Sequence, residues 1–216
     1  RKHTAGTING PSDDFACIAS VSETWSAHSW WPCKDHPSDK ALVSLSATVP
    51  DSLSLVSNGR LISLESNQAG WDTYHWREDY PLPTYLVSVA ASNYVGWNEN
   101  CLVSPPSSPE QNIVLGFQVF PHDLEDAATD LAQTCEAMDF MVNLAGPYPF
   151  DGEKYDQVEV KWGGAMEHST VTSLPTYFFT GVGQYETLMV HELAHQWFGD
   201  SLTPAVWPDI WLNEGF

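Results

Sequence analysis

The chain is poor in positive charge, which narrows the classes of partner that it can bind. Its 216 residues include 8 Lys and Arg against 28 Asp and Glu, giving a formal net charge of -20. So acidic a protein repels a phosphate backbone, and the sequence therefore predicts no nucleic-acid partner. Two interpretations of the acidity stay open: solubility in the surrounding medium, and attraction of cationic ligands such as peptides with free amino ends.

Long apolar runs and closely spaced cysteine pairs are also absent from the sequence. No stretch approaches the roughly 20 apolar residues that span a bilayer, so no membrane span is predicted. Cys17, Cys33, Cys101 and Cys135 form no Cys-x-x-Cys pair, which argues against a thiolate zinc site. An even number of cysteines permits disulfides without requiring them. The chain begins at Arg1 without an apolar signal core, so we expect a processed chain or a piece of a longer one.

The first half of the chain has the period of β-strands. Apolar and polar side chains alternate over residues 41–49 and again over 112–120, which places the apolar side chains of each stretch on one face. Between them, the Asn58-Gly59 pair is a typical signal for a β-hairpin. These features predict a mostly antiparallel β unit.

The period changes after Phe120. From Leu124 to Ala145 the apolar residues recur every three or four positions, the spacing of one face of a helix. A strand and a second helix are predicted beyond it. We therefore predict two domains, with residues 1–119 forming the β unit and residues 120–216 forming an α/β unit.

The stretch LMVHELAHQWFGD, residues 188–200, contains a His-Glu-x-x-His pattern. On a helix, residues four apart lie on the same side about 6 Å apart along the axis. His191 and His195 could therefore each give a nitrogen to one Zn²⁺ ion, with Glu192 beside them as a base. The pattern alone leaves an alternative open, in which the histidines only form hydrogen bonds or face solvent.

A third candidate ligand follows in the stretch WPDIWLNEGF. Eighteen residues separate His195 from Glu214, far enough for the chain to turn and begin a second helix facing the first. Two histidines and a glutamate are the ligands of an open catalytic zinc site, which keeps a position for water. The alternative is that Glu214 is an ordinary acidic residue at the start of a helix.

These motifs together resemble a known enzyme family. The order GGAMEH, HELAHQWFGD, WLNEGF is similar to that of the gluzincin aminopeptidases, the family of aminopeptidase N and leukotriene hydrolase. The segments WWPCKDHPSDKA and GPYPFDGEKYDQVEV also resemble that family, so the similarity runs from about residue 20 to 216. One departure is His168, which stands where the family's Gly-x-Met-Glu-Asn motif has Asn. Its side chain would either tune the charge of the preceding glutamate or form a hydrogen bond within the loop.

The resemblance implies an α+β fold, a zinc site and a reaction. A partial, saddle-like antiparallel β-rich N-terminal domain would precede the start of a thermolysin-like α/β zinc catalytic domain. His191, His195 and Glu214 would bind one Zn²⁺ per chain, and Glu192 would be the general base acting on a zinc-bound water. The reaction implied is hydrolysis of the N-terminal peptide bond of peptides with a free N-terminal amine.

The resemblance also implies residues that bind the substrate. Glu167 would bind the free α-amino group, and Glu23, nine residues before Pro32, would be a second anchor for the amine. A solvated loop position is the alternative for Glu23. Contacts with the main chain of the peptide would come from Gly163, Gly164, Ala165 and Met166.

The family's oxyanion-stabilising tyrosine lies beyond the third zinc ligand, and this sequence ends two residues after Glu214. We therefore expect a fragment whose partner is the remainder of its parent chain, and interpret Tyr177 and Tyr185 as packing residues. The alternatives are a metal-binding fragment without turnover and an epoxide hydrolase of the same family. A secreted or periplasmic bacterial location is preferred over a cytoplasmic one.

Overall fold

The computed structural model describes residues 16–215; the first fifteen residues, which include Arg1, and Phe216 lie outside the described residues. The strands are β1 Ile18–Ala19, β2 Ala41–Pro50, β3 Ser54–Ser57, β4 Arg60–Gln68, β5 Trp71–Leu82, β6 Val89–Ser92, β7 Val95–Val103, β8 Gln111–Val119, β9 Lys154–Val160 and β10 Val171–Pro175. The helices are α1 Leu124–Asp130, α2 Thr134–Ala145, α3 Glu186–Ala194 and α4 Trp211–Glu214. The mixture of strands and helices confirms the predicted α+β class.

Two antiparallel sheets form the first part of the molecule. Their strand orders are β2-β5-β4 and β1-β6-β3. The predicted alternation in β2 is confirmed: Val49 is buried and Leu45 is partly buried, whereas Ser44 and Ser46 are exposed. These apolar side chains pack into one core with Trp76 of β5, as expected for sheets with one solvated face.

The Asn58-Gly59 pair does not form the predicted hairpin. The strand before it, β3, pairs with β6, whereas the strand after it, β4, pairs with β5, so the chain changes sheets at this turn. Gly59 has a φ of +73°, and a side chain there would collide with the backbone of Arg77. The turn signal was therefore correct as to local geometry and wrong as to which strands it joins, because pairing depends on distant residues.

A third sheet, of order β10-β9-β8-β7, continues into the second part of the molecule. β7 and β8 are antiparallel, whereas β8, β9 and β10 run parallel to one another. The boundary predicted near residue 119 thus falls within one sheet, since β7 and β8 precede it and β9 and β10 follow it. Periodicity located the change from strand to helix but could not indicate that the crossover returns to the same sheet.

The helical stretch predicted from Leu124 to Ala145 is two helices. The break follows α1, where the Thr134 hydroxyl donates to the carbonyl oxygen of Leu131 at 2.8 Å, a local bond that competes with the helical pattern. A disulfide between Cys101 and Cys135 links β7 to the start of α2. Among residues 16–215, no helix combines the length and apolar composition that crossing a membrane requires.

Candidate active site

Three side chains converge at the end of helix α3. The Nε2 atoms of His191 and His195 lie 3.1 Å apart, and Oε2 of Glu214 lies 3.3 Å from the first and 3.8 Å from the second. Two imidazole nitrogens and a carboxylate oxygen so close together surround a point where a small cation could be bound.

The orientation of the two histidines follows from the packing of α3. Met189 and Leu193 are fully buried in the core, and residues two positions later point to the opposite face of the helix. Nδ1 of His195 lies 3.0 Å from the carbonyl oxygen of Phe198, which accepts its hydrogen and leaves the Nε2 lone pair free for a metal. Partial burial and the neighbouring His195 lower the pKa of His191, which favours the neutral, metal-binding form.

The short helix α4, which carries Glu214, is held in place by the first part of the molecule. Asn213 Nδ2 donates to the Tyr85 hydroxyl at 3.1 Å, and the Tyr85 ring packs edge-on against Trp207. Trp207 Nε1 donates in turn to the carbonyl oxygen of Asp35 at 2.9 Å. Because the Glu214 side chain is half exposed, its position depends on these contacts of its neighbours.

Glu192 lies on the inner side of this cluster and is buried. Together with Glu167 and His195 it forms a second group whose ligand atoms lie within 4.8 Å of one another. Burial, followed by the charges of Glu167 and Glu214, raises the pKa of Glu192 to about 9. A carboxyl group in these surroundings keeps its proton until a cation favours the ionised form.

Glu167 is buried too, with 4% of its surface exposed, and its Oε1 atom has no hydrogen-bond partner among the described residues. Burial, and secondarily the charge of Glu214, raise its pKa to about 7. A buried carboxylate oxygen without a partner costs free energy unless a donor reaches it. The site therefore offers an acceptor suited to a cationic donor.

The glycine-led segment before Glu167 lies beside open space. A side chain built at Gly163 or Gly164 would meet no atom of residues 16–215 within 4 Å. Met166 differs, because it is buried and its backbone exchanges two hydrogen bonds with Ser173 of β10, at 2.9 and 2.8 Å. Of the four residues predicted to contact a peptide main chain, Met166 therefore anchors the segment to the sheet, and the two glycines adjoin the open side.

The structure brings Glu23 to the rim of the same site. The residue as a whole is exposed, but neighbouring atoms partly screen its carboxyl group from water. This partial burial, together with the charges of Glu167 and Glu214, raises the pKa of Glu23 to about 7. His195 acts in the opposite direction and lowers this pKa. The charges that act on Glu23 are therefore those of the candidate site itself.

His168 faces the interior and not the solvent. It is fully buried, its Nδ1 lies 3.0 Å from the Ser173 hydroxyl, and burial lowers its pKa to about 3. A neutral ring that hydrogen-bonds favours the second of the two interpretations given by the sequence, except that the partner, Ser173, lies in β10 and not in the loop. It leaves the charge of Glu167 unaltered near neutral pH.

The sequence did not indicate Tyr85 or Asn213 as residues of the site. Tyr85 is distant from every motif, and nothing in its local sequence predicts a contact with α4. Asn213 directly precedes Glu214, and this adjacency was the available signal. Tyr185 packs against the core, as predicted, whereas Tyr177 is exposed and contacts the Tyr185 ring edge-on, so the core-packing interpretation is wrong for Tyr177.

The ligand chemistry of the site fits zinc. Two neutral imidazoles and one carboxylate are a common ligand set for catalytic zinc. Burial and neighbouring carboxylates raise the pKa values of Glu192 and Glu167, and a nearby divalent cation would lower both again.

The sequence matches two profiles of one family. The Peptidase M1 N-terminal domain matches residues 9–86, and the Peptidase family M1 domain matches residues 130–216. Similar proteins include leucine aminopeptidase 2 of Candida glabrata (30% identical over 95% of this chain), leukotriene A-4 hydrolase of Xenopus laevis (28% over 100%) and glutamyl aminopeptidase of Homo sapiens (29% over 99%). This chain spans 29%, 33% and 22% of their respective lengths.

Solved structures show the same fold. An M1 zinc metallopeptidase from Deinococcus radiodurans superposes with a TM-score of 0.77 at 27% identity, over 93% of this chain and 44% of that one. A variant of it was solved with a Tyr-Ser-Ala substrate, again with a TM-score of 0.77, 27% identity and the same coverage. These similarities make zinc the cofactor. With both parts matched in order, the chain belongs to peptidase family M1.

Proposed function

We propose that the complete protein containing this chain is a zinc-dependent aminopeptidase that hydrolyses the first peptide bond of peptides with a free N-terminal amine. One observation carries the proposal: the convergence of His191, His195 and Glu214 beside the buried, unpartnered carboxylate oxygen of Glu167. His191, His195 and Glu214 suit a metal ion, and Glu167 suits an ammonium group. The two binding positions adjoin, because His195 also lies within 4.8 Å of Glu167 and Glu192, measured between ligand atoms.

His191, His195 and Glu214 would bind the zinc ion, which supplies polarisation of the scissile carbonyl and acidifies a water molecule. The Glu192 carboxylate accepts a proton from the attacking water and later donates it to the leaving amine. Glu167 binds the substrate ammonium through a charge-assisted hydrogen bond. Because that bond fixes the amine, only the first peptide bond reaches the reacting atoms.

Two further features support a peptide substrate bound in extended form. The open space beside Gly163 and Gly164 lets a main chain approach the backbone of this segment closely. Glu23 adds a second carboxylate near Glu167, so the amine would be bound between two acceptors. Both acceptors would ionise as the ammonium group enters.

The proposal is tested by comparing a free-amine peptide with its N-acetylated analogue on the complete protein. We expect hydrolysis of the first bond in the free-amine peptide and no detectable hydrolysis of the acetylated one. Equal turnover of both peptides would contradict the assignment of Glu167 and the exopeptidase activity together.

We also propose a secreted or periplasmic location, supported by the Cys101–Cys135 disulfide, because such bonds persist in oxidising compartments. Cys17 and Cys33 are free. Among the four cysteines of this chain, alkylation of denatured, unreduced protein taken directly from its native compartment should label Cys17 and Cys33 only. Labelling of all four cysteines would contradict the location.

A further inference from the structure

The loop that follows Glu167 contains a strained residue. Thr170 has a φ of 64°, in the left-handed region that β-branched residues rarely adopt, and its side chain is fully buried. Such a conformation persists where the surrounding structure fixes it from several sides, and it is most common at functional sites. The contacts that fix Thr170 therefore indicate what the loop serves.

Gln196 binds this loop from the side of the metal-binding helix. Its Oε1 accepts the backbone N–H of Thr170 at 2.8 Å, and its Nε2 lies 3.4 Å from the carbonyl oxygen of His168. The same Nε2 donates to Asp200 at 2.9 Å, which fixes the orientation of the amide. Gln196 is fully buried and directly follows His195 in the chain.

The first part of the molecule binds the opposite side of the loop. The Gly59 N–H donates to the Thr170 hydroxyl at 2.8 Å, and Asn58 Nδ2 donates to the carbonyl oxygen of Ser169 at 2.7 Å. The turn that changes sheets thus also positions the loop. Gly59 is suited to this role because a side chain there would collide with the backbone of Arg77.

Glu167 lies between two fixed points of the backbone. On one side Met166 pairs with Ser173, and on the other the Val171 N–H donates to the carbonyl oxygen of His168 at 3.0 Å. The second fixed point includes the atoms that Gln196 contacts. One side chain therefore links the helix of His195 to the backbone that carries Glu167.

We propose that Gln196 is a positioning residue, which sets the distance between the amine-binding carboxylate of Glu167 and the metal by holding the strained loop at residues 168–170. This inference rests on the proposed function. A carboxylate held at a fixed distance from the metal selects ligands whose amine and metal-binding group have the matching separation. Small displacements in such a site cost about 100-fold for a shift of about 1 Å.

The test compares two hydroxamates on the zinc-loaded complete protein: leucine hydroxamate, and its analogue that lacks the amine. The ratio of their dissociation constants measures the amine contact separately from the metal contact. Gln196→Met should reduce this ratio by about 10-fold to 100-fold, the range expected for a displacement of up to about 1 Å. The analogue without the amine should bind within about twofold of its original affinity, and native mass spectrometry should show one zinc retained, since the metal ligands are unaltered.

Gln111→Met is the matched control, because Gln111 is another buried glutamine that bridges two backbone groups, those of Tyr148, at 2.8 and 3.1 Å. The Gln111→Met variant should lose about as much stability as Gln196→Met, and its ratio of hydroxamate dissociation constants should equal that of the unaltered protein. Thr170→Gly provides a second variant: it relieves the strained φ and removes the hydroxyl that accepts the Gly59 N–H, so the ratio should fall again.

An unchanged ratio in Gln196→Met and Thr170→Gly would overturn the inference. So would equal weakening of both hydroxamates, or loss of zinc from Gln196→Met, since each would show a general structural role. If the unaltered protein binds the two hydroxamates equally, the proposed function itself is wrong, which is a distinguishable result.

Discussion

The two halves of the site differ in how they are built. The metal-ligand half, which comprises the proposed ligands His191, His195 and Glu214, comes from the end of α3 and from α4, and two of its three residues are exposed. The carboxylate half, formed by Glu167 and Glu192, is buried and has raised pKa values. Helical spacing is enough to bring His191, Glu192 and His195 together, whereas the positions of Glu214 and Glu167 depend on loops and long-range hydrogen bonds.

This difference indicates where the site holds unfavourable electrostatic energy. Carboxyl groups buried close together are costly unless protons or cations neutralise them. Two residues of the metal-ligand half are exposed to water, so leaving this half without an ion costs little free energy. Bound cations would favour the ionised form of the carboxylate half, so under the proposed function this half would couple metal binding to substrate binding.

The largest expected effect separates catalysis from metal binding. Glu192→Gln removes the proton acceptor while keeping the size of the side chain, so turnover in the complete protein should fall by about 10²-fold to 10⁴-fold. Zinc content, measured by native mass spectrometry, should stay at one per chain. Turnover at the original rate would show that Glu192 is not the base.

The next effect is a loss of zinc affinity in the metal-ligand half. Glu214→Gln should weaken zinc binding by more than about 100-fold, because loss of a direct ligand exceeds the cost of losing an outer-sphere partner. The side chain is half exposed, so the fold should persist. Competition with a chromogenic chelator measures the affinity, and unchanged affinity would remove Glu214 from the ligand set.

A smaller effect is expected at Glu167, the proposed amine-binding carboxylate. Glu167→Ala should raise KM for free-amine substrates by about 30-fold or more, the loss typical of removing one member of a buried charged pair. The affinity for zinc should change little. Steady-state kinetics on the complete protein would show this, and unchanged KM and kcat would exclude the anchoring role.

The smallest effect concerns the metal-free protein. Glu192 has a pKa of about 9 in the folded chain against an ordinary value of 4.5. Its folded-state pKa is raised, so its contribution to stability is present below pH 4.5 and is lost as the pH rises through about 9. The effect of Glu192→Gln on the stability of the metal-free protein should therefore be more favourable at pH 9 than at pH 5. The expected difference is about 1 kcal/mol in the free energy of unfolding, or 2–4 °C in Tm.

Calorimetry with a chelator present measures this difference, and zinc should reduce it. A variant that is destabilised more at pH 9 than at pH 5 would contradict the direction of the pKa shift.

The fold and the site were predictable to different degrees. His191 and His195 had to lie together once α3 was recognised, because residues four apart share a helix face. The contacts of Thr170 and Gln196 could not be predicted, since they join segments that no local period relates. The hairpin expected at Asn58-Gly59 was wrong for the same reason: turn chemistry fixes the backbone angles and leaves the pairing partner open.

The sheet β10-β9-β8-β7 also has a consequence for the order of events during synthesis. β7 and β8 are neighbours in sequence and can pair as soon as both have left the ribosome. β9 joins β8 in parallel only after α1 and α2 have been made, which delays a non-local contact. Until then the far edge of β8 is an unpaired template, so the nascent chain is exposed to wrong pairing in this interval.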